Sequence, residues 1–185
     1  MATKNIVRSD FVDFFATVIC FRFAARFPAC SVMGVDGSAA MIRLANARKV
    51  HDAMPDERVH FIEGLLPGAP IPQVPFAAVI SNSQLLHLHE PQVLWETVLR
   101  YASPPRTKVY VVDLYRPQTA ATARRLVNTY AGGEPDILRR DFYNSLCAAF
   151  EPREVEAQLA AAGLAGLVVD VISDRHMAVY GTLDN

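Results

Sequence analysis

The chain reads as one α/β domain, a mostly parallel sheet covered by helices, and three observations predict it. Short β-branched runs alternate with longer stretches of helical spacing from Cys30 onward, the pattern of strands joined by covering helices. A strand, a tight turn and an N-capped helix follow one another within residues 31–53. Two closing apolar runs are separated by only Ser173-Asp174-Arg175, too short for a crossover, so the last pair is antiparallel.

Each element has its own signal. Residues 31–35, Ser-Val-Met-Gly-Val, form a buried strand, and Ser38 stands where an N-cap belongs before the helix-forming run 39–53. Val59-His60-Phe61-Ile62 is a second strand, closed by Gly64 and a turn-rich segment, and residues 77–80 are a third. Leu94, Val98 and Tyr101 make one apolar helical stripe, with Trp95 packing that helix on the sheet. Pro104-Pro105 breaks the chain before the central strand Val109-Tyr110-Val111-Val112.

Residues 115–150 form an inserted helical flap. Ala123, Leu126, Val127 and Tyr130 share one face of its first helix, and Leu138, Phe142, Leu146 and Ala149 one face of its second, with Gly132-Gly133 between. Pro152 opens the last helix and Gly163 stops it, and strands 168–172 and 177–182 follow.

Composition narrows the function. The 185 residues, 51% of them hydrophobic, suffice for one core. Eighteen Lys and Arg against 19 Asp and Glu leave a formal charge of -1, which disfavours a nucleic-acid partner. Cys20, Cys30 and Cys147 are odd in number and far apart, giving neither a disulfide framework nor zinc spacing, so a reducing, cytoplasmic setting is expected. The apolar run 11–21 is too short for a bilayer and contains Asp13, so no membrane association is expected.

An acid ending a strand, as in Val35-Asp36, presents a carboxylate at the carboxyl edge of the sheet, where open α/β folds bind ligands. Its alternative role is to cap the next helix together with Ser38. His87 and His89 are candidates for a base or a substrate contact, or else surface imidazoles. His-x-His with Glu90 has no further clustered ligand, and no metal is expected. Arg139, Arg140, Tyr143 and Asn144 lie on adjacent turns of one helix, a set able to hold a carboxylate or phosphate, or simply a solvated face.

Gly34-Val35-Asp36-Gly37-Ser38-Ala39-Ala40-Met41 resembles the second-strand motif of class I S-adenosylmethionine-dependent methyltransferases. Residues 58–64, Arg-Val-His-Phe-Ile-Glu-Gly, resemble that family's third strand and the turn beneath the adenine. Residues 78–89 resemble its fourth strand and following loop, and residues 155–182 its last helix and antiparallel hairpin. The resemblance implies a three-layer Rossmann-like fold and S-adenosylmethionine as cofactor, with a small-molecule methyl acceptor. It implies that Asp36 binds the cofactor ribose, that Gly37, Met41, Gly64 and Leu65 surround the nucleoside, and that Asn82 and Ser83 lie beside the reacting methyl. His87, Arg140, Tyr143 and His176 are the implied substrate contacts, with His87 or Tyr143 as candidate catalytic groups.

The chain departs from the pattern at its beginning. The family's first strand ends in a glycine-rich loop because the backbone there approaches the cofactor closely, yet no glycine precedes Gly34. Val12-Asp13-Phe14-Phe15-Ala16-Thr17-Val18 stands where that strand and loop belong, so a degenerate or truncated first strand is expected, with Phe14 and Phe15 filling cofactor space. Leu65 replaces an acid that many relatives direct at the adenine amine. The alternative function is therefore a non-catalytic module that has lost the cofactor and serves binding or homodimer formation.

Overall fold

The computed structural model describes residues 10–14, 18–102 and 105–183, leaving aside the side chains of 10–14. The elements run β1 (Asp10–Phe14), α1 (Val18–Arg26), β2 (Ser31–Asp36), α2 (Ala39–His51), β3 (Val59–Glu63) and β4 (Ala78–Asn82). After a short 3-10 turn at Leu85–His87 come α3 (Gln92–Tyr101), β5 (Thr107–Leu114), α4 (Ala120–Ala131), α5 (Asp136–Ala148), α6 (Pro152–Ala161), β6 (Val168–Val171) and β7 (His176–Leu183). One sheet holds all seven strands in the order β3-β2-β1-β4-β5-β7-β6. The first five pair in parallel, and β7 pairs antiparallel with both β5 and β6.

Alternation along the strands assigns the two faces. On β5, Thr107, Val109 and Val111 are buried while Lys108 and Tyr110 are exposed. Val109 and Val111 join Val79, Met177 and Val179 in a core roofed by Leu94, Trp95 and Val98 of α3 and by Val155 and Leu159 of α6. Trp95 is fully buried and its indole N–H donates to Gln158 Oε1 at 3.1 Å, so its one polar atom is satisfied by α6. Across the sheet, Cys20, Phe21 and Ala24 of α1 and Ile42 and Ala45 of α2 pack on Val32, Val59 and Phe61. The layers are helix, sheet and helix, as expected.

The first strand is neither missing nor marginal. Asp10–Phe14 is a five-residue strand in the middle of the sheet, paired on both sides with β2 and β4. Its identity was obscured because Phe11, Val12, Phe14 and the two acids match no glycine-loop motif, whereas burial between two parallel neighbours requires only an extended, largely apolar run. Residues 15–17, Phe15 among them, and residues 103–104, Pro104 among them, lie outside the described residues.

The flap is a pair of helices, α4 and α5, that pack on each other. Leu114, Ala123, Leu126, Val127, Leu146 and Ala149 form its core, with Leu86, Phe142 and Tyr143 against it. Two expected members are displaced. Leu138 is half exposed, because α5 turns Leu146 rather than its first turn onto α4. Tyr130 is exposed because its phenol reaches out to donate to Asp174 Oδ2 at 2.8 Å, with the Arg175 guanidinium stacked 3.4 Å from its ring centre. Those contacts latch α4 to the β6–β7 turn. At the flap's base, the Arg116 N–H donates to Phe150 O and its guanidinium bridges Glu151 and Glu154 of the α6 capping box.

Candidate functional site

Strand order and register set the site. In the parallel ladder, Phe14 pairs with Val35 on one side and with Ser81 on the other. Asp36 and Asn82 are each one residue further on, so both stand at the carboxyl edge, level with one another and separated by β1, two interstrand spacings of together roughly 10 Å. The strand order reverses between β1 and β4, the switch point where open α/β sheets bind ligands.

Asp36 answers both readings of its carboxylate. One oxygen, Oδ1, accepts from the Ser38 N–H at 2.7 Å and shapes the turn into α2, while Ser38 Oγ takes the capping bond from Met41 N. The other, Oδ2, is buried and has no hydrogen-bond donor among the described residues. A buried carboxylate oxygen without a donor is costly unless something supplies one, and a ribose hydroxyl is such a donor. The Gly64 N–H donates to Asp36 O at 3.0 Å, which binds the turn after β3 to the end of β2.

The two neighbouring glycines are closely approached. A Cβ on Gly37 would stand 2.2 Å from Leu65 Cδ2, and one on Gly64 only 2.8 Å from the Ala69 Cα. Leu65 itself is 73% exposed, so its side chain leans over Gly37 without being held by the core. Met41 is half-buried on the first turn of α2.

Asn82 is half-buried at the end of β4, and Ser83 follows in the left-handed region, at φ 55°, with its N–H donating to Val112 O at 2.8 Å. A non-glycine residue there is uncommon and turns the chain sharply at the strand end. The segment that follows is held from below by Asp113, a residue that the sequence reading passed over. Its Oδ2 accepts from Leu85 N at 2.7 Å and its Oδ1 from Leu114 N at 2.8 Å, and burial pushes its carboxyl up to about 6. The pattern that singled out Asp36, an apolar strand ending in an acid, recurs at Val109–Asp113 and would have found it.

The proposed acceptor residues separate into two places. Arg140 and Tyr143 line one cavity of about 320 Å³ between α4 and α5, together with Arg124, Val127, Asn128 and Arg139. Tyr143 and Leu86 both pack against the flap core of Leu114, Leu126 and Leu146. His176 lies elsewhere, half-buried opposite Leu114 on the β5–β7 ladder, with Nδ1 3.1 Å from Ser173 Oγ. Burial foremost, and Arg175 beside it, lower its pKa. His87 is exposed and makes no side-chain bond among the described residues, and His89 and Glu90 are exposed as well.

Residues 17–105, just under half of the chain, match the family model described as a methyltransferase domain. No curated protein matches the chain by sequence. Among solved structures, a SAM-dependent methyltransferase from Aquifex aeolicus superposes with a TM-score of 0.65 at 14% identity, over 96% of this chain and 84% of its own. The plantazolicin methyltransferase BpumL, solved with S-adenosylhomocysteine (SAH), gives 0.74 at 13% identity, over 96% and 76%. Phosphoethanolamine N-methyltransferase 2 of Haemonchus contortus, solved with S-adenosyl-L-methionine, gives 0.68 at 17% identity, over 89% of this chain and 35% of its own. The fold is the Rossmann-like fold of these methyltransferases, and residues 17–105 are similar to a methyltransferase domain.

Proposed function

We propose that the chain is an S-adenosylmethionine-dependent methyltransferase acting on a small molecule. The observation that carries this is the buried Oδ2 of Asp36 at the edge of β2, which has no donor among the described residues, beside Gly37, over which the exposed Leu65 side chain leans. Asp36 accepts the ribose hydroxyls. Gly37, Met41, Gly64 and Leu65 enclose the nucleoside, and Asn82 and Ser83 border the sulfur end across β1. The cofactor, when bound, supplies an electrophilic methyl on a sulfonium. The chain's own work is to align the acceptor and exclude water, which suffices for a direct displacement. The flap helices supply the acceptor contacts through Arg140 and Tyr143, with His87 the nearest imidazole in sequence to Ser83. The hydroxyl-to-carboxylate bonds replace the donor that Asp36 lacks, and each is worth about 1.5–3 kcal/mol.

Isothermal titration with S-adenosylmethionine and SAH tests the reading, with Asp36→Ala alongside. The expected result is saturable binding that weakens by roughly 10- to 100-fold in the variant. A demonstrably folded wild type that gives no heat with either ligand overturns it. That outcome would favour the second reading, a non-catalytic relative, for which Tyr110, Tyr180 and Val168 form a ready surface. These three are register partners across β5, β7 and β6, and all are exposed.

A further inference from the structure

We propose that the cavity between α4 and α5 is a phosphate-binding site, and that it holds a phosphate monoester carried by the methyl acceptor. The proposal rests on the methyltransferase reading for what the bound molecule is for, and not for whether it binds.

The two flap helices are antiparallel neighbours and present Arg124 and Asn128 from α4 and Arg139, Arg140 and Tyr143 from α5 to one cavity of about 320 Å³. Positions 124 and 128 are one turn apart, as are 136, 139, 140 and 143, so each set shares a helix face. Three arginines thus line one seam. Among the described residues only Arg139 of the three has an acidic partner: its Nη1 stands 3.4 Å from Asp136 Oδ1, while its Nη2 donates to Asn128 Oδ1 at 3.1 Å. Its Nε is buried with no acceptor. Arg124 and Arg140 form no ion pair among the described residues, and Arg124 lies 5.8 Å from the ring centre of Tyr143.

Like charges gathered at a helix–helix seam repel one another, and a seam chosen for packing alone would not collect them. An oxyanion reverses the sign of that interaction. Asp136 offsets one of the three positive charges, and the remainder matches a phosphate monoester, which carries about -1.5 to -2 at neutral pH and three acceptor oxygens. A carboxylate carries one charge and is satisfied by a single guanidinium fork, leaving the rest of the cluster unmatched. The Tyr143 phenol adds a neutral donor, and Tyr143 shares the flap core with Leu86 of the segment that follows Ser83.

Calorimetric titration of the full chain without cofactor, at constant ionic strength, tests this with phenyl phosphate, inorganic phosphate and benzoate. Phenyl phosphate is expected to bind at one site, inorganic phosphate to compete with it, and benzoate to bind at least 10-fold more weakly. The double variant Arg124→Gln, Arg140→Gln alters only exposed side chains and should lower phenyl phosphate affinity by 10-fold or more. Asp36→Ala should leave that affinity unchanged. Absence of saturable binding to the folded wild type, or undiminished binding in the double variant, overturns the site. Benzoate binding as tightly as phenyl phosphate overturns the assignment to phosphate. Silence toward S-adenosylmethionine with intact phenyl phosphate binding would sink the cofactor reading and leave the anion site standing.

Discussion

At the scale of single residues, three buried polar groups divide into those that wait for a ligand, those that hold structure and those that do neither. Asp36 spends one oxygen on its own turn and keeps the other free. Asp113 spends both, on Leu85 and Leu114, and so anchors the segment after Ser83. Its carboxyl is raised by burial from 3.8 to about 6, so between roughly pH 4 and 6 the folded chain keeps a proton that the unfolded chain has lost. Stability from this group is present at low pH and disappears as pH rises through about 6, by up to about 3 kcal/mol. Urea unfolding at pH 4.5 and 7.5 should show the wild type losing ground to Asp113→Asn as pH rises; parallel profiles would refute the role. Ser81, 1% exposed with an unpartnered hydroxyl, does neither. Replacing it by Ala removes an unsatisfied group at little cost in packing, so Ser81→Ala should match or raise the melting temperature. A drop of several degrees would mean that the hydroxyl is used.

At the scale of elements, caps and turns were the most legible features. Ser38 caps α2, Pro152 opens α6, Gly163 closes it at φ 75°, and the Gly132-Gly133 break separates α4 from α5. Each of these is written in one or two residues whose chemistry is local. β1 was illegible as an intact strand because its evidence is its two neighbours, which no local pattern displays. The flap was legible as two helices, but its charged seam was only half seen. Arg139, Arg140 and Tyr143 share one segment, whereas Arg124 and Asn128 join them only when α4 folds back. The turn after β3 gives a sharper forecast. Gly64 has backbone 2.8 Å from where a Cβ would stand, so Gly64→Ala must move the Ala69 segment and should cost about 1–3 kcal/mol in chemical denaturation. Gly37 has only the exposed end of Leu65 above it, so Gly37→Ala should unfold close to wild type while weakening nucleoside binding. Equal losses of stability in the two variants would contradict this picture of the slot.

At the scale of the whole molecule, the two sides of the sheet differ. The side under α3 and α6 is closed over Val79, Val109, Val111 and Val179. On the other, Tyr110 is 44% and Tyr180 38% exposed, and a cavity of about 240 Å³ runs from Ile19 and Phe23 of α1 to Tyr110. Tyr180→Thr should change stability by no more than about 0.5 kcal/mol, since little is buried there. If this face joins two copies, sedimentation velocity should show a wild-type dimer that Tyr180→Thr dissociates; equal sedimentation would remove the face from consideration. The pairing of β5 with β7 also has a consequence during synthesis. Thr107 pairs with Leu183, so the antiparallel partner of β5 leaves the ribosome long after β5 itself, at roughly 5–20 residues per second. For several seconds the run Val109-Tyr110-Val111-Val112 carries one open edge, a template for any passing strand. The nascent chain is therefore most exposed to misassembly in that interval, while the flap and α6 are being made, and a chaperone that shields extended apolar segments would act on it then.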